Sequence, residues 1–303
     1  MIVIPDSFLD RMQELHGEQG VAWAGALPEL MSDFARRFDF YPEAPYPRLT
    51  YNFVLRGKRG DGSPAVFKSS FMKDELSREI SVLRAFEGRG AIKVLDADEK
   101  CGAVLLEGAD PGLPLSTIED DVFATQIFCQ VFRRLHHSTP SNSQYPSMKQ
   151  HFGAIERYRE RFSDVHITGP LPESWVENAE ECLAYLIATT KESTLLHGDL
   201  HHENILRHGD EQWVVIDPKG LVGDIHFDVI QFLLNYEDRG GDSEQVLRNR
   251  MAIIADRLEL DPLRIAMWGV ARGVLEACWT IEDVGNDWHR GIHMTERFAK
   301  LLD

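Results

Sequence analysis

Three polar side chains stand at spacings that suit phosphoryl transfer. The run Leu195-Leu196-His197-Gly198-Asp199-Leu200-His201-His202-Glu203-Asn204-Ile205-Leu206 places an Asp just after an apolar segment and an Asn shortly beyond it. A second apolar run, Val214-Val215-Ile216, delivers Asp217. A magnesium-dependent kinase needs a carboxylate that positions the attacking hydroxyl and takes up its proton. It also needs oxygen ligands that hold the metal on the nucleotide phosphates. Asp199 fits the first role. Asn204 offers a neutral oxygen and Asp217 a charged one, and magnesium favours such donors together with phosphate and water. Taken alone, Asp199 would read as a turn or capping residue; the three residues together carry the catalytic reading.

A fixed cation is the next requirement, and Lys68 meets it. Ala65-Val66-Phe67 reads as a strand leading into Lys68, and the helix that follows carries Glu79. A strand lysine braced by a helix glutamate presents a charge to phosphate. Glu75 is a rival brace; Glu79 is preferred because it leads into the apolar stripe Ile80, Leu83 and Phe86. Residues 49–56 hold no Gly-x-Gly-x-x-Gly and no Walker sequence, so Thr50, Tyr51 and Asn52 are either a short phosphate-facing loop or an ordinary strand start. On the acceptor side, Glu276, Glu282, Asp283 and Asp287 lie among Trp279 and Trp288. Such carboxylates suit guanidinium or ammonium groups, or else form a solvated helix end over a core Trp. Lys219, just after Asp217, faces either phosphate or solvent.

Other chemistries fit less well. His197, His201, His202 and His208, with the pair His136-His137, invite a zinc reading. Gly198 interrupts the helix that the His197/His201 spacing would need, and no cysteine joins them. Arg59-Gly60-Asp61-Gly62 reads as a hairpin turn rather than an adhesion motif. A protein kinase would carry Asp-Phe-Gly and Ala-Pro-Glu, and the stretch from Asp217 to Phe227 is too short for an activation loop.

The elements that must position these residues follow from apolar periodicity. A helix is expected over 27–38 with Pro28 in its first turn, a Pro- and Tyr-rich linker over 41–47, and strands over 49–55 and 65–68. A helix over 74–86 and strands over 91–95 and 103–106 complete a small, mostly antiparallel β block. The Gly/Pro segment Glu107-Gly108-Ala109-Asp110-Pro111-Gly112 reads as a hinge. Helices are expected beyond it over 122–135, 175–187, 246–258 and 263–279, the last opened by Asp261 as N-cap and Pro262 in the first turn. The expected lobes are 1–107, nucleotide-binding with a leading helix, and 108–303, with the catalytic loop and the metal and substrate residues.

The 303-residue chain is long enough for two such lobes. A composition 43% hydrophobic and 27% charged is that of an ordinary globular protein. A net charge of −17 argues against nucleic acid as a partner; it suits a cationic small molecule, and equally a merely soluble surface. No apolar run approaches the ~18–20 residues that span a bilayer, and the N-terminus lacks a basic-then-apolar leader. Four cysteines without a Cys-x-x-Cys pair read as reduced core thiols. The expectation is a cytoplasmic protein without a membrane partner.

A family resemblance is carried by His197-Gly198-Asp199-Leu200-His201-His202-Glu203-Asn204-Ile205-Leu206 with Ile216-Asp217-Pro218-Lys219-Gly220, which resembles the aminoglycoside phosphotransferase superfamily. The segment Asp217-Pro218-Lys219-Gly220-Leu221-Val222-Gly223-Asp224 with Phe227-Asp228 is similar to its streptomycin 6-phosphotransferase branch, the aminoglycoside/hydroxyurea antibiotic resistance kinases. So are Pro64-Ala65-Val66-Phe67-Lys68, Val104-Leu105-Leu106-Glu107 and the stretch from Val270 through Glu276 and Trp279 to Asp283. The resemblance implies an α+β, protein-kinase-like two-lobed fold: a small antiparallel β lobe, a larger helical lobe and a cleft between that takes ATP with Mg2+. It implies Asp199 as catalytic base, Asn204 and Asp217 as magnesium ligands, Lys68 as phosphate anchor, the backbone from Glu107 to Ala109 against adenine, and Asp228 as a brace of the catalytic loop. Phe67 departs from the pattern, where a smaller aliphatic residue is expected. The branch implies a phosphotransferase with an alcohol group as acceptor, acting on an aminoglycoside such as streptomycin, cationic and polyhydroxylated. Substrate candidates are then Asp199, Glu276, Trp279, Glu282 and Asp283. A kinase of a native metabolite or sugar is the alternative. A non-catalytic nucleotide binder is another, though it has no need of Lys68, Asp199, Asn204 and Asp217 together.

Overall fold

The computed structural model describes residues 3–136, 144–163, 169–236, 242–283, 285 and 287–302. The chain runs α1 (Asp6–Arg37), β1 (Phe40–Pro45), β2 (Asn52–Arg59), β3 (Pro64–Ser70), α2 (Lys73–Phe86), β4 (Val94–Asp98), β5 (Ala103–Glu107), β6 (Pro111–Pro114) and α3 (Asp121–Leu135). It continues through α4 (Met148–His151), α5 (Gly153–Arg161), α6 (Glu173–Thr189), β7 (Thr194–Leu196), β8 (Ile205–His208), β9 (Gln212–Val215), β10 (Leu221–Gly223), α7 (Ile230–Leu234), α8 (Ser243–Leu258), α9 (Pro262–Glu282) and α10 (His289–Ala299). No helix among the described residues is long and apolar enough to cross a membrane.

Contacts divide the chain into two units. The first holds Met1–Leu113 and Leu206–Asp217, the second Pro114–Ile205 and Pro218–Asp303. Residues 108–113 and Leu206–Asp217 thus pack with the first unit, where 1–107 was expected.

In the first unit an antiparallel sheet of order β1-β2-β3-β5-β4 is covered by α1. Phe8, Met12, Ala24, Leu27, Met31 and Phe34 recur at three- and four-residue steps or their multiples, giving α1 one apolar stripe. That stripe packs on Phe53, Leu55, Phe67 and Leu105 of the sheet. Alternation along β3 sends Phe67 to this face and Lys68 to the other. The Phe67 ring meets Phe34 edge-on at 5.1 Å. The unexpected bulk before the lysine therefore fills the interface with the leading helix.

The structure departs from four local expectations. The leading helix begins at Asp6, so Pro28 lies inside it and not in its first turn; the break falls at Gly17, in a left-handed φ of 59°. The stretch expected as a linker is β1, paired with β2 across a bulge between Pro42 and Ala44. Its prolines are tolerated because an edge strand need not donate every N–H. The strand expected over 91–95 is displaced to β4, while Ala91 only bridges Val215. Of the cysteines, Cys101 is exposed in the β4–β5 turn; Cys129, Cys182 and Cys278 are buried, and all four are free.

The second unit is helical. α9 packs against α6 and α10, and α3 against α8. Asp261 caps α9 by accepting from the Leu263 N–H, with Pro262 in the first turn, as its sequence implies. A two-stranded β7–β10 ribbon frames the loop that follows Leu196. Asp224, just after β10, ties this ribbon to α9: its Oδ2 accepts from Arg264 Nε at 3.0 Å and Trp268 Nε1 at 2.9 Å.

Candidate active site

The phosphate-side groups converge within the first unit. Lys68 is buried on β3, and its Nζ donates to Glu79 Oε2 and to Asp217 Oδ1, each at 2.7 Å. Glu75 is exposed, so Glu79 is the brace. The register explains the second contact. Val215 N–H donates to Gly90 O at 2.8 Å and Ile92 N–H to Val215 O at 3.1 Å, which pins the end of β9 beside the β-block and carries Asp217 to the lysine. Asp217 sits at φ 57°, a region that crowds a β-carbon and that few residues other than glycine adopt. Burial alone would lower the Lys68 pKa, but the carboxylates of Asp217 and Glu79 outweigh it and hold the ammonium above its usual value. Thr50 and Tyr51 fall in the connection between β1 and β2, and Asn52 opens β2. Glu107 ends β5, its N–H on Lys93 O at 2.9 Å; Ala109 follows Gly108, whose N–H is held by Pro64 O at 3.0 Å.

The second unit holds the candidate catalytic loop. Asn204 Nδ2 donates to Asp199 O at 2.9 Å, so the amide oxygen of Asn204 is left as its acceptor atom. Asn204 N–H closes the turn onto His201 O at 3.0 Å. His201 Nδ1 accepts from the Glu203 N–H at 3.2 Å, which places the ring proton of a neutral imidazole on Nε2, 3.8 Å from Asp199 Oδ1. The Asp199 side chain is 28% exposed, open enough for an acceptor to reach. Gly198 adopts φ 82°, and a β-carbon there would press on Leu221 and Lys219, which favours glycine just before Asp199.

Asp228 braces this loop from beneath. It is buried, and its two oxygens accept from His197 N–H and Gly198 N–H at 2.7 Å each. His136 Nε2 donates to the same carboxylate at 2.8 Å, while its Nδ1 faces Phe132 O at 3.0 Å. Burial raises the Asp228 pKa, yet the hydrogen bonds from His136 and Gly198 N–H and the nearby imidazoles bring it below the ordinary carboxylate value. In the sequence His136 stands out only as half of a histidine pair; His137 lies outside the described residues. Its position at the end of α3 carries no local signal of a contact with Asp228, far along the chain.

The acceptor-side candidates lie on α9 and at its end. Glu276 Oε2 accepts from Arg272 Nη1 at 2.7 Å, and the Arg272 guanidinium lies 4.9 Å from the Trp279 ring centre. Glu282 is held by Arg157, with Nε to Oε1 at 2.8 Å and Nη2 to Oε2 at 2.9 Å. Asp283 and Asp287 are exposed, as is Lys219. His151 packs edge-on against Trp279 at 5.2 Å, and burial beside Arg272 pushes its imidazole down to about 4. The pairing of Glu282 was not visible in the sequence, because Arg157 comes from α5; Arg272 and Glu276 stand one turn apart on α9, a spacing that the sequence does show.

Comparison with known proteins places the chain in a family. The model for "Aminoglycoside/hydroxyurea antibiotic resistance kinase" matches residues 46–285. A streptomycin 6-kinase of Streptomyces griseus is 31% identical over 93% of this chain and 92% of its own length. A hydroxyurea phosphotransferase of Kitasatospora aureofaciens is 27% identical, covering 93% and 82%. Among solved structures, an aminoglycoside phosphotransferase in complex with ADP and hygromycin B superposes with a TM-score of 0.62 at 14% identity, over 89% of this chain and 97% of the other; at that identity the likeness shows the protein-kinase-like fold. With the matched segment spanning most of the chain, the protein belongs to the aminoglycoside/hydroxyurea antibiotic resistance kinases, phosphotransferases that use an alcohol group as acceptor.

Proposed function

We propose that the chain transfers the γ-phosphate of ATP to a hydroxyl of a streptomycin-like aminoglycoside, with magnesium. The observation that carries this reading is the Lys68–Glu79–Asp217 arrangement, joined in one chain with the Asp199–Asn204 loop. Lys68, kept charged by two carboxylates, offers a fixed cation to the phosphates. Asp199 accepts a hydrogen bond from the acceptor hydroxyl, aims its oxygen at phosphorus and receives the proton as the new bond forms. The Asn204 amide oxygen and the Asp217 carboxylate are the hard oxygen donors that suit magnesium, which when bound neutralises charge on the phosphates. Glu107 and Ala109 are the proposed backbone contacts of adenine.

The named activity of the streptomycin 6-kinase relative supports the aminoglycoside acceptor, as does the exposed Asp283 beside Trp279. An acceptor cation must compete with Arg272 for Glu276 and with Arg157 for Glu282. That pairing favours a second reading, a small neutral hydroxyl compound like the one named for the hydroxyurea phosphotransferase relative. Incubation of the purified protein with MgATP and streptomycin, hydroxyurea or simple sugars, with product mass spectrometry, separates the two. Phosphorylated streptomycin at a rate well above that of ATP hydrolysis is expected. Phosphorylation of hydroxyurea or a sugar alone refutes the aminoglycoside reading.

A further inference from the structure

The turn that carries Asn204 is held from a side the phosphoryl-transfer chemistry leaves unused. Arg250 on α8 is fully buried. Its Nε donates to both oxygens of Asp121 at 3.0 Å, and its Nη2 to Asp121 Oδ1 at 2.5 Å. Its Nη1 donates to the carbonyls of Phe232 at 3.2 Å and Asn235 at 2.6 Å, and Nη2 also donates to Tyr236 O at 3.0 Å. These carbonyls lie in and just after the short α7, where the last acceptors of a helix have no partner in the helix itself. The guanidinium also lies 5.2 Å from the centre of the Phe232 ring.

The two rings fixed in this way both meet the catalytic loop. Phe232 stacks on His202 at 4.2 Å with planes 10° apart, and Tyr236 approaches the same imidazole at 5.1 Å and 60°. The Tyr236 hydroxyl donates to Glu203 Oε1. His202 and Glu203 are the first two residues of the 3-10 turn His202–Asn204. Tyr236 itself is at φ 57°, a costly conformation for an aromatic residue that persists only where its surroundings hold it.

We propose that Arg250 and Tyr236 are positioning residues that set the His202–Asn204 turn, and with it the direction of the Asn204 amide oxygen toward magnesium. The inference rests on the role given above to Asn204. A guanidinium is suited to this task because its planar fork serves Asp121 and three carbonyls at once, which a lysine ammonium cannot.

Tyr236→Phe is the primary test, because it keeps the ring on His202 and removes only the hydroxyl from Glu203. ADP binding is measured by calorimetry with and without magnesium, alongside thermal melting. Metal-free ADP affinity and melting temperature should match wild type, while the gain in ADP affinity on adding magnesium falls about two- to ten-fold, the range of one hydrogen bond. Arg250→Lys should lose more of that gain and also melt lower; should it fail to fold, Tyr236→Phe alone carries the test. Asn204→Ala, measured in parallel, keeps the two claims apart. If it retains the full magnesium-dependent gain, the role of Asn204 fails. If it loses that gain while Tyr236→Phe retains it in full, the positioning proposal is overturned.

Discussion

Replacing Lys68 with methionine should separate the structural part of the Lys68 pair from its catalytic part. Methionine keeps the length and apolar stem but removes the charge, which takes the ammonium of Lys68 away from Glu79, a carboxylate whose side chain is only 10% exposed. Breaking a buried ion pair from one side costs about 3–5 kcal/mol, because the remaining charge is desolvated and uncompensated. Asp217 adds little to this figure, since its side chain is 44% exposed and water replaces the lysine. At roughly 2–4 °C per kcal/mol for a domain of this size, Lys68→Met should melt about 10 °C lower. Adding Glu79→Leu removes the carboxylate that the lysine had balanced and should recover most of the loss. Phosphate transfer should be abolished in both variants. The pH dependence has a defined sign. The folded-state pKa of Lys68 lies above its unfolded value, so its contribution is complete below the unfolded pKa and is lost only as pH rises through the folded one. Across neutral and mildly acid pH the wild-type term is therefore constant. The deficit of Lys68→Met should shrink as pH falls, because a protonated Glu79 is cheaper to bury. Differential scanning calorimetry of the three proteins against pH, with a coupled kinase assay, reads all of this. Wild-type melting of Lys68→Met would refute the buried pair, and phosphate transfer by the double variant would refute Lys68 as the phosphate anchor.

Three further outcomes are expected. Asp199→Asn should lower kcat by about 10²–10⁴, the usual worth of a positioned base, with ADP affinity unchanged by calorimetry. Asp228→Asn turns an amide NH2 toward either His197 N–H or Gly198 N–H and leaves a buried donor unpaired; a loss of about 1–3 kcal/mol in urea unfolding is expected, with a fall in kcat larger than any change in KM. Burial raises the pKa of Asp224, but its bonds to His226, Trp268 and Arg264 outweigh that and hold it far below the ordinary carboxylate value. The stability it contributes is present above the unfolded carboxylate pKa of ~3.9 and is lost as pH falls through the folded value. Asp224→Asn should therefore flatten the decline of the urea midpoint below about pH 4, and an unchanged slope there counts against the assignment.

Local sequence carried the site further than it carried the frame around it. As candidates, Asp199, Asn204, Asp217 and Lys68 were legible because each is tied to a strand or a tight turn, features set by a few neighbouring residues. Glu79 was separable from Glu75 by its place beside the apolar stripe Ile80, Leu83 and Phe86; the two stand about one helical turn apart on one face, and Glu79 is the buried one. Elements governed by tertiary context were not legible. The strand β1 hides behind its prolines, and it exists because β2 offers an edge to pair with. The first half of α1 is polar enough to pass for a loop until the sheet that it covers is known.

The sequence by itself determined the type of chemistry, because that chemistry depends on residue types at short spacings: an Asp, an Asn five positions on, a carboxylate near the end of a strand and a lysine on another. Only the tertiary structure decided which charges are available to a ligand. Glu276 and Glu282 looked like an open acidic cluster, yet each is met by an arginine, one of them from another helix. Asp217 and Lys68 are far apart in the chain and touch only because β9 is pinned beside Gly90 and Ile92. The brace of Asp228 with His136, and the hold of Arg250 and Tyr236 on the Asn204 turn, likewise join residues from separate elements. Spacing along a chain encodes local geometry. Charge compensation and burial are set by what folds against a residue, and that is decided at long range.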